Sequence, residues 1–580
     1  MFSEFSDFTA KIEDKEFVRE DDVHFPMSVI LTLVSLDGHH ETTFHLGYAS
    51  NEYINRLISS GNKLILDHCY IDHLSLANYR HENNIDKKEY IKIAGFSARD
   101  CFFNTKVPLD LSYAEFLSGS VNFENSVFTG ETISMQGTKI MDGGLDFSNA
   151  RLPFGNLDFT ELFVEKNVYF RNVNFGAGTK DFQDATFGRG DVVFTNTNFN
   201  NGDVSFISTK FGNGNISFKL ARFGIGKVDF HYAKVGDGDI SFERTQFGDG
   251  RVDFRTVEFG DGRVNFNRAV FGNGDISFEA SQVNKGHVSF KKAVFGEGLI
   301  SFELVEYDDA DVSFERANFG RGNVSFKNAR IHKLSLHSCH LDNYTDLRLA
   351  RCSYIDLSDT IVRDIIDLRP FEFSMKIDTI KFSGMRLIGR IFIDWEKNHI
   401  KKLILSQKDT AWRIKAEQFR TLKQNFNTTG QYSDEDKSYV EFKRMESKAI
   451  LEEAISRNKF SGIWKYPSYF FKLVVFDLMG HYATNPLRVM ISILVSYAFF
   501  SMVVAFIISV SGAEVISSYG DMSLGILGRS FYYTAVTFLT IGYGDFYPTG
   551  ALRILSGIIG FSGLFLLSYF TVAFVRKVLR

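Results

Sequence analysis

Two glycines alternate with larger residues in the hexapeptide Thr540-Ile541-Gly542-Tyr543-Gly544-Asp545, near the end of the 580-residue chain. Glycine adopts backbone angles that residues with side chains avoid, so such a segment can point successive carbonyl groups in one direction. Carbonyl oxygens arranged in this way can replace the water around a cation. The alternative is an ordinary glycine turn, and the neighbouring segments decide between the two.

Two apolar segments flank the hexapeptide, at residues 489–510 and 554–575. At about 1.5 Å per residue, each is long enough to cross the roughly 30 Å hydrocarbon core of a bilayer. The segment 530–539 between them is too short to cross, but it fits a re-entrant helix whose ends are shielded by protein or water. This context favours a membrane site over a glycine turn.

The region from about 486 to 580 resembles the pore domain of two-span potassium channels, and the hexapeptide matches the filter motif of that family. The resemblance implies a first span at about 488–510, a pore helix at about 529–539, a filter at 540–545 and a second span at about 552–576. Four copies of the chain would form the pore. The expected potassium-binding residues are Thr540, Ile541, Gly542, Tyr543 and Gly544, of which the first four contribute carbonyl oxygens and Thr540 also its hydroxyl.

The resemblance assigns filter support to Asp545 and to the aromatic pair Tyr532 and Tyr533. Val536 also lies at a supporting position, but it departs from the family pattern. Some members carry a carboxylate there, close to the filter aspartate. Inactivation behaviour that depends on such a carboxylate pair is therefore not expected to carry over.

Gly563 falls near the hinge of the inner helix in the family, and Gly557 and Gly560 lie in the same helix. Glycines loosen a helix by removing side-chain contacts. They also permit close packing between membrane helices. The sequence leaves both interpretations open, a hinge at the gate or a packing position.

Basic residues precede the first span and follow the second, which predicts that both outer flanks face the cytoplasm. They are Lys465, Lys472, Arg488, Arg576, Lys577 and Arg580. The loop at about 511–529 should then be outside. The sequence contains no apolar helix with regularly spaced arginines, so a voltage sensor is not expected. The first residues lack the apolar core of a signal peptide. The expected location is the plasma membrane, with the N-terminal region and the C-terminus in the cytoplasm.

The composition agrees with a cytosolic region joined to a membrane domain. The 65 basic and 70 acidic residues give a net charge of −5, which does not indicate a nucleic-acid partner. The four cysteines are not spaced as a zinc site or a disulfide framework. Potential ligands cluster between Asp67 and His73, but turn residues explain them better because no second cluster completes a metal site. No cofactor is expected besides potassium as the permeant ion.

Phenylalanine recurs every twelve residues from Phe170 to Phe326, and a second apolar position follows five residues after each. Val or Ile stands two residues before almost every member of the first series, with Lys180 as the exception. Positions two apart share one face of a short strand. The fixed period predicts a solenoid, in which each unit buries its apolar face only against its neighbours.

The twelve-residue unit is close to two pentapeptide repeats followed by a Gly-x-Gly insertion, as in Gly236-Asp237-Gly238. It resembles the pentapeptide-repeat family, which implies a right-handed, four-sided β-helix. We interpret two units as one coil of about 24 residues, and one coil per unit is the alternative.

The Gly-x-Gly segments lack the third glycine and the helix of a dinucleotide-binding loop, and their period differs from that of calcium-binding β-rolls. Turn glycines, which supply backbone freedom at tight corners, are the preferred interpretation.

Between the repeat and the spans, helical spacing from Ala411 to about Arg457 with a break at Thr428–Gly430 predicts a helical hairpin. The short apolar segment 469–479 fits a helix in the membrane interface, and a buried cytosolic helix is the alternative. The predicted domains are a cap at 1–105, a solenoid at 106–408, a hairpin at 409–460, an interfacial helix at 461–485 and the pore domain at 486–580.

These features predict a tetrameric potassium channel whose cytosolic β-solenoid regulates conduction. A membrane-tethered scaffold with a vestigial or non-selective pore is the alternative. No combination of nucleophile, base and orienting group indicates an enzyme. The expected partners are membrane lipid, three further copies of the chain and an unidentified ligand or protein on the solenoid. Regulation would reach the gate through the interfacial helix and the first span, or through contacts with Arg576, Lys577 and Arg580.

Overall fold

The computed structural model describes residues 2, 4–130, 132–370, 376–458, 462–520 and 524–579. The chain forms two compact units, Met1–Ser406 and Gln407–Arg580. The first is built mainly from short β-strands and the second almost entirely from helices. The predicted β-solenoid, helical connector and two-span helical region are therefore confirmed as the fold classes of this chain.

An antiparallel sheet caps the start of the solenoid. Its long strands are Phe5–Glu13, Ser28–Ser35 and Glu41–Ala49, and the last pairs in parallel with the solenoid strand Cys69–Ile71. Two short helices follow the cap strands, α1 at Asn51–Ser59 and α2 at Leu76–Glu82. Because Cys69–Ile71 stacks on the next coil, the solenoid begins before the predicted boundary at residue 106.

A coil of the solenoid contains about 24 residues and four short strands, one of which is reduced to an isolated bridge from Gln246 to Asn318. Strand partners in adjacent coils are 24 residues apart, as Val204 is from Val228 and Val228 from Val252. The interpretation of two units per coil is therefore confirmed, and the alternative of one coil per unit is wrong. One coil comprises the strands Val192–Val193, Asn198–Asn200, Val204–Ser205 and Lys210–Phe211.

One face of the solenoid is a continuous parallel sheet of thirteen strands. The strands, in stacking order, are Leu109–Asp110, Thr132–Ser134, Asn156–Asp158, Lys180–Asp181, Val204–Ser205, Val228–Asp229, Val252–Asp253, Ile276–Ser277, Ile300–Ser301, Val324–Ser325, Thr345–Asp346, Ile365–Asp367 and Arg390–Phe392. The helix α3 at Ile400–Leu405 follows the last coil.

The twelve-residue phenylalanine series forms the core of the solenoid, and all its members from Phe170 to Phe326 are buried. Rings 24 residues apart are stacked nearly parallel, as Phe206 and Phe230 are with centroids 4.7 Å apart and planes 13° from parallel. Rings twelve apart meet edge to face, as Phe230 and Phe242 do at 5.8 Å and 89°. Both geometries are favourable for aromatic pairs, so every coil is stabilised by the coils above and below.

Lys180, the exception in the Val/Ile series, is fully buried at its strand position. Its Nζ donates hydrogen bonds to the carbonyl oxygens of Gly176, Gly178 and Asn201 at 2.7, 2.8 and 3.0 Å. Burial lowers the pKa of this amine to about 8. Backbone acceptors thus satisfy a polar group at a position that is otherwise apolar.

The Gly-x-Gly segments lie at corners of the coil, but backbone freedom is not the reason for glycine at most of them. Gly236 and Gly238 have no positive φ. A Cβ atom on Gly238 would instead lie 2.1 Å from the carbonyl oxygen of Gly214 in the preceding coil. Close stacking of backbones explains these glycines, so the physical reason predicted from the sequence is wrong for them. The left-handed corners lie two residues after each core phenylalanine, at non-glycine residues such as Asn196 and Leu304.

The second unit begins with two long helices joined by a tight turn, α4 at Trp412–Thr428 and α5 at Tyr432–Arg457. Then come α6 at Tyr466–Phe471 and a π-helical segment at Lys472–Leu478. These elements lie within the predicted connector and interfacial segments.

The membrane-type elements follow as α7 at Pro486–Ser511, α8 at Ile526–Phe538 and α9 at Leu552–Val578. Among the described residues, α7 and α9 are the two helices long and apolar enough to cross a bilayer. Asn485 caps α7 by accepting a hydrogen bond from the backbone N–H of Arg488, and Pro486 occupies the first turn. Side chains of α7, α8 and α9 share one apolar core that includes Val504, Phe538 and Ile559.

Candidate functional site

The hexapeptide 540–545 follows directly on the C-terminal end of α8. This helix lies between α7 and α9 in the fold, and it contacts both. The carbonyl groups of its last turn give this end a partial negative charge. The short helix therefore directs a field that favours cations toward the beginning of the hexapeptide.

The backbone of the hexapeptide alternates between residues with a positive φ and residues without one. Thr540, Gly542 and Gly544 have φ values of 56°, 69° and 73°, whereas Ile541 and Tyr543 have no positive φ. A backbone that alternates the sign of φ in this way can turn successive peptide planes so that several neighbouring carbonyl groups point to one side of the chain. Glycine fills two of the three left-handed positions, where a side chain is unfavourable.

The first half of the hexapeptide is fixed by backbone hydrogen bonds from the end of α8. The N–H of Thr540 donates to the carbonyl oxygen of Thr537 at 3.1 Å, and the N–H of Ile541 donates to that of Val536 at 2.9 Å. Val536 thus contacts the hexapeptide through its backbone.

One of the predicted supporting residues, Tyr532, contacts the second half of the hexapeptide. The Tyr532 hydroxyl donates to Oδ2 of Asp545 at 2.6 Å. Tyr533 is buried, and its hydroxyl is hydrogen-bonded to that of Ser556 on α9. One tyrosine of the pair therefore contacts the hexapeptide itself, and the other joins α8 to α9.

The three candidate hinge glycines in α9 have different surroundings. A Cβ atom on Gly563 would lie 1.8 Å from the carbonyl oxygen of Phe538, at the end of α8. A Cβ on Gly560 would lie 3.7 Å from the carbonyl oxygen of Thr537, and one on Gly557 would have no neighbour within 4 Å in the part of the chain that the structure describes. Gly563 therefore permits α9 to approach the backbone that leads into the hexapeptide.

On the other side of the membrane domain, α5 contacts the last turn of α9. Asp436 of α5 accepts hydrogen bonds from Nη2 of Arg576 at 2.9 Å and from Nζ of Lys577 at 3.2 Å. The Asp436 side chain is 9% exposed, and the Arg576 guanidinium also lies 4.6 Å from the ring centroid of Tyr439. Arg576 and Lys577 thus contact the hairpin, while Arg580 lies outside the described residues.

The same helix also holds the π-helical segment that precedes α7. Nε and Nη2 of Arg444 donate to the two carboxylate oxygens of Asp477 at 2.8 and 2.7 Å, and Nη1 donates to Glu441 at 2.6 Å. This paired geometry is among the strongest of charged hydrogen bonds. Helix α5 therefore binds both the segment that enters the first apolar helix and the end of the second.

A hydrogen-bonded tyrosine joins α9 to the approach of α7. The Tyr569 hydroxyl donates to the carbonyl oxygen of Phe476 at 3.0 Å and accepts from the N–H of Ala483 at 2.8 Å. Ala483 ends a run of three non-glycine residues with positive φ, which begins at His481. Such conformations are unfavourable for these residues, so surrounding contacts hold this turn.

The sequence did not indicate Asp436, Arg444 or Tyr569. Each contacts a residue at least 30 positions away, and none belongs to a motif or a periodic pattern. A lone acidic residue on a helix carries no local sign of a distant basic partner.

Residues 492–580 match the family model for ion channels. No curated protein and no solved structure matches the chain. The match covers most of α7 and all of α8, the hexapeptide and α9. This segment is an ion-channel domain of the two-span potassium-channel type, and the chain is a membrane protein with two spans. Channel domains of this kind assemble as oligomers in the membrane.

Proposed function

We propose that the chain forms a homotetrameric channel that conducts potassium passively and selectively across the plasma membrane. The observation that supports this most directly is the alternating sign of φ from Thr540 to Gly544. This segment follows the short helix α8, and the two apolar helices α7 and α9 flank both. Four such segments around one axis would form stacked rings of carbonyl oxygens that replace the hydration shell of K⁺. The permeant ion is the substrate of this site.

The proposed orientation places the solenoid and both ends of the channel domain in the cytoplasm. Lys472 and Arg488 lie near the start of α7, and Arg576 and Lys577 lie in the last turn of α9. Basic residues at both ends favour the cytoplasmic side.

We also propose that α6 and the preceding residues lie in the membrane interface. Trp464 is 82% exposed and Phe470 is 64% exposed, and Lys465 and Lys472 lie in the same segment. Aromatic and basic side chains together are typical of helices at the boundary between headgroups and acyl chains.

Reversal potentials of the purified, reconstituted protein test the proposed function. We expect the reversal potential to follow the potassium gradient and to respond little to sodium. Equal permeability to sodium and rubidium, or a particle that is monomeric in both detergent and lipid, would contradict the proposal. A tetramer without selective current would favour the alternative, a membrane-tethered scaffold with a vestigial pore.

Regulation by the solenoid is the second part of the proposal. The support for it is α5, which binds Asp477 before the first span and Arg576 and Lys577 at the end of the second. A helix that holds both can transmit a displacement of the cytosolic region to the inner helix. The stimulus would be a ligand or protein partner of the solenoid.

The variant Asp436→Asn tests this route. Asparagine removes the negative charge that pairs with Arg576 and Lys577. The lost interaction energy lies between the ~1 kcal/mol of an exposed ion pair and the ~3 kcal/mol of a buried one. The ratio of open to closed probability in single-channel recordings should change roughly 5- to 150-fold, while the reversal potential stays the same.

The matched control is Glu452→Gln, which neutralises an exposed carboxylate on the same helix. The charge swap Asp436→Arg with Arg576→Asp should bring the open probability back toward the wild-type value. If Asp436→Asn and Glu452→Gln both gate like the wild type, the contact between α5 and α9 does not regulate the pore.

A further inference from the structure

The outer end of the hexapeptide is tied to the loop that follows α7. Strand Val515–Ser517 pairs antiparallel with strand Phe546–Pro548, which begins directly after Asp545. The pair is closed by Thr549, whose N–H donates to the carbonyl oxygen of Glu514 at 2.9 Å and whose hydroxyl oxygen accepts from the N–H of Glu514 at 2.8 Å. The chain that leaves the hexapeptide is therefore held in a defined position by this loop.

Ser518, the residue after the first of these strands, contacts the hexapeptide directly. Its hydroxyl donates a hydrogen bond to the carbonyl oxygen of Gly544 at 2.7 Å. Its backbone N–H donates to the carbonyl oxygen of Asp545 at 2.8 Å. The carbonyl groups of Gly544 and Asp545, the last two in the hexapeptide, are thus both held by Ser518. Ser518 lies 26 and 27 positions before them in the sequence.

The bond to Ser518 gives Gly544 a different role from the four residues before it. A carbonyl group that accepts a short hydrogen bond has its direction fixed by the donor. Gly544 has a positive φ and no side chain, so its peptide group can rotate at little steric cost when no partner holds it. The hydroxyl of Ser518 supplies that partner.

We propose that Ser518 is a positioning residue that holds the outer mouth of the filter in its conducting conformation. This inference rests on the proposed function as a potassium channel. The Ser518 hydroxyl holds the Gly544 carbonyl toward the loop, so the Tyr543 carbonyls form the outermost fixed ring of ion ligands. Without the hydroxyl, the Gly544 peptide rotates and the outer end of the filter loses its shape.

Bound potassium and the Ser518 hydroxyl stabilise the same conformation. An ion that binds only the conducting conformation shifts the population toward it in proportion to its concentration. The hydroxyl therefore matters most when external potassium is low and the outer site is empty. High external potassium should compensate for its loss.

The test compares current decay of the full-length protein in liposomes at low and high external potassium. The variant Ser518→Ala should speed the decay about three- to tenfold at low potassium, as expected for the loss of one hydrogen bond, and high potassium should abolish the difference. Ser518→Thr keeps the hydroxyl and should decay like the wild type. The control Ser511→Ala removes a hydroxyl that bonds within its own helix, to the Ile507 carbonyl oxygen at 2.8 Å, and should also decay like the wild type.

Two results would overturn the inference while the proposed function stands. In one, Ser518→Ala decays like the wild type at both potassium concentrations. In the other, Ser518→Ala and Ser518→Thr lose the same fraction of current at both concentrations, which would assign Ser518 a role in folding of the loop alone. A wild-type protein with no potassium-selective current would overturn the proposed function, and this inference with it.

Discussion

Gly542→Ala should abolish potassium conduction and leave the cytosolic solenoid folded. Gly542 has a φ of 69°, a left-handed conformation that costs a residue with a side chain about 1–2 kcal/mol. A ring built from four chains would incur this cost four times. The alternation that points successive carbonyl groups in one direction would therefore be lost at the centre of the filter.

The matched control for this substitution is Gly528→Ala. Gly528 lies in α8 with no positive φ, and an added Cβ would meet only side-chain atoms of Leu524 at 3.6 Å. Flux of potassium or rubidium into liposomes measures the difference, and size-exclusion chromatography checks assembly. Selective flux through Gly542→Ala at the wild-type rate would contradict the assignment of this segment as the filter.

The sequence predicts the phenylalanine repeat and the left-handed backbone at Gly542 and Gly544 because both are local patterns. A twelve-residue phenylalanine period encodes contacts between adjacent units, and these contacts are all that a solenoid core requires. The hexapeptide likewise carries its own conformation in the positions of Gly542 and Gly544. Flanking segments of sufficient length and apolarity then place it in a membrane domain.

Contacts between distant segments are the part that the sequence did not predict. Asp436 meets Arg576 across 140 positions, and Ser518 meets Gly544 across 26. Each is a single polar pair without periodicity or composition bias. The basic residues after the second span were predicted to take part in regulation, but their acidic partner on α5 could be identified only in the folded chain.

The glycines of the solenoid show the same difference between local features, which the sequence predicts, and contacts between distant residues, which it does not. The sequence correctly marks Gly236 and Gly238 as turn positions, yet it suggests backbone freedom where the structure shows lack of space. Three-dimensional stacking decides this, because a Cβ atom would collide with a residue 24 positions earlier. The sequence could not decide between a hinge and a packing role for Gly563, because its neighbour Phe538 lies 25 positions earlier in the chain.

Gly563→Ala should lower the thermal stability of the channel domain and strongly reduce potassium current. The new Cβ would lie 1.8 Å from the carbonyl oxygen and 2.7 Å from the carbonyl carbon of Phe538, and neither can move without the backbone. Overpacking of this kind typically costs about 1–3 kcal/mol. Because Phe538 is two residues before Thr540, the required shift displaces the start of the filter.

The hinge and packing roles of Gly563 predict different outcomes for this variant. A hinge glycine replaced by alanine would change the open probability and leave unfolding temperature and ion selectivity intact. A packing glycine would lower the unfolding temperature and weaken selectivity for potassium over sodium. Gly557→Ala is the control, because its Cβ would meet none of the described residues within 4 Å and alanine favours the helix by about 1 kcal/mol. Wild-type stability and selectivity in Gly563→Ala would exclude the packing role, since such an overlap in every chain of the proposed tetramer cannot leave both properties unchanged.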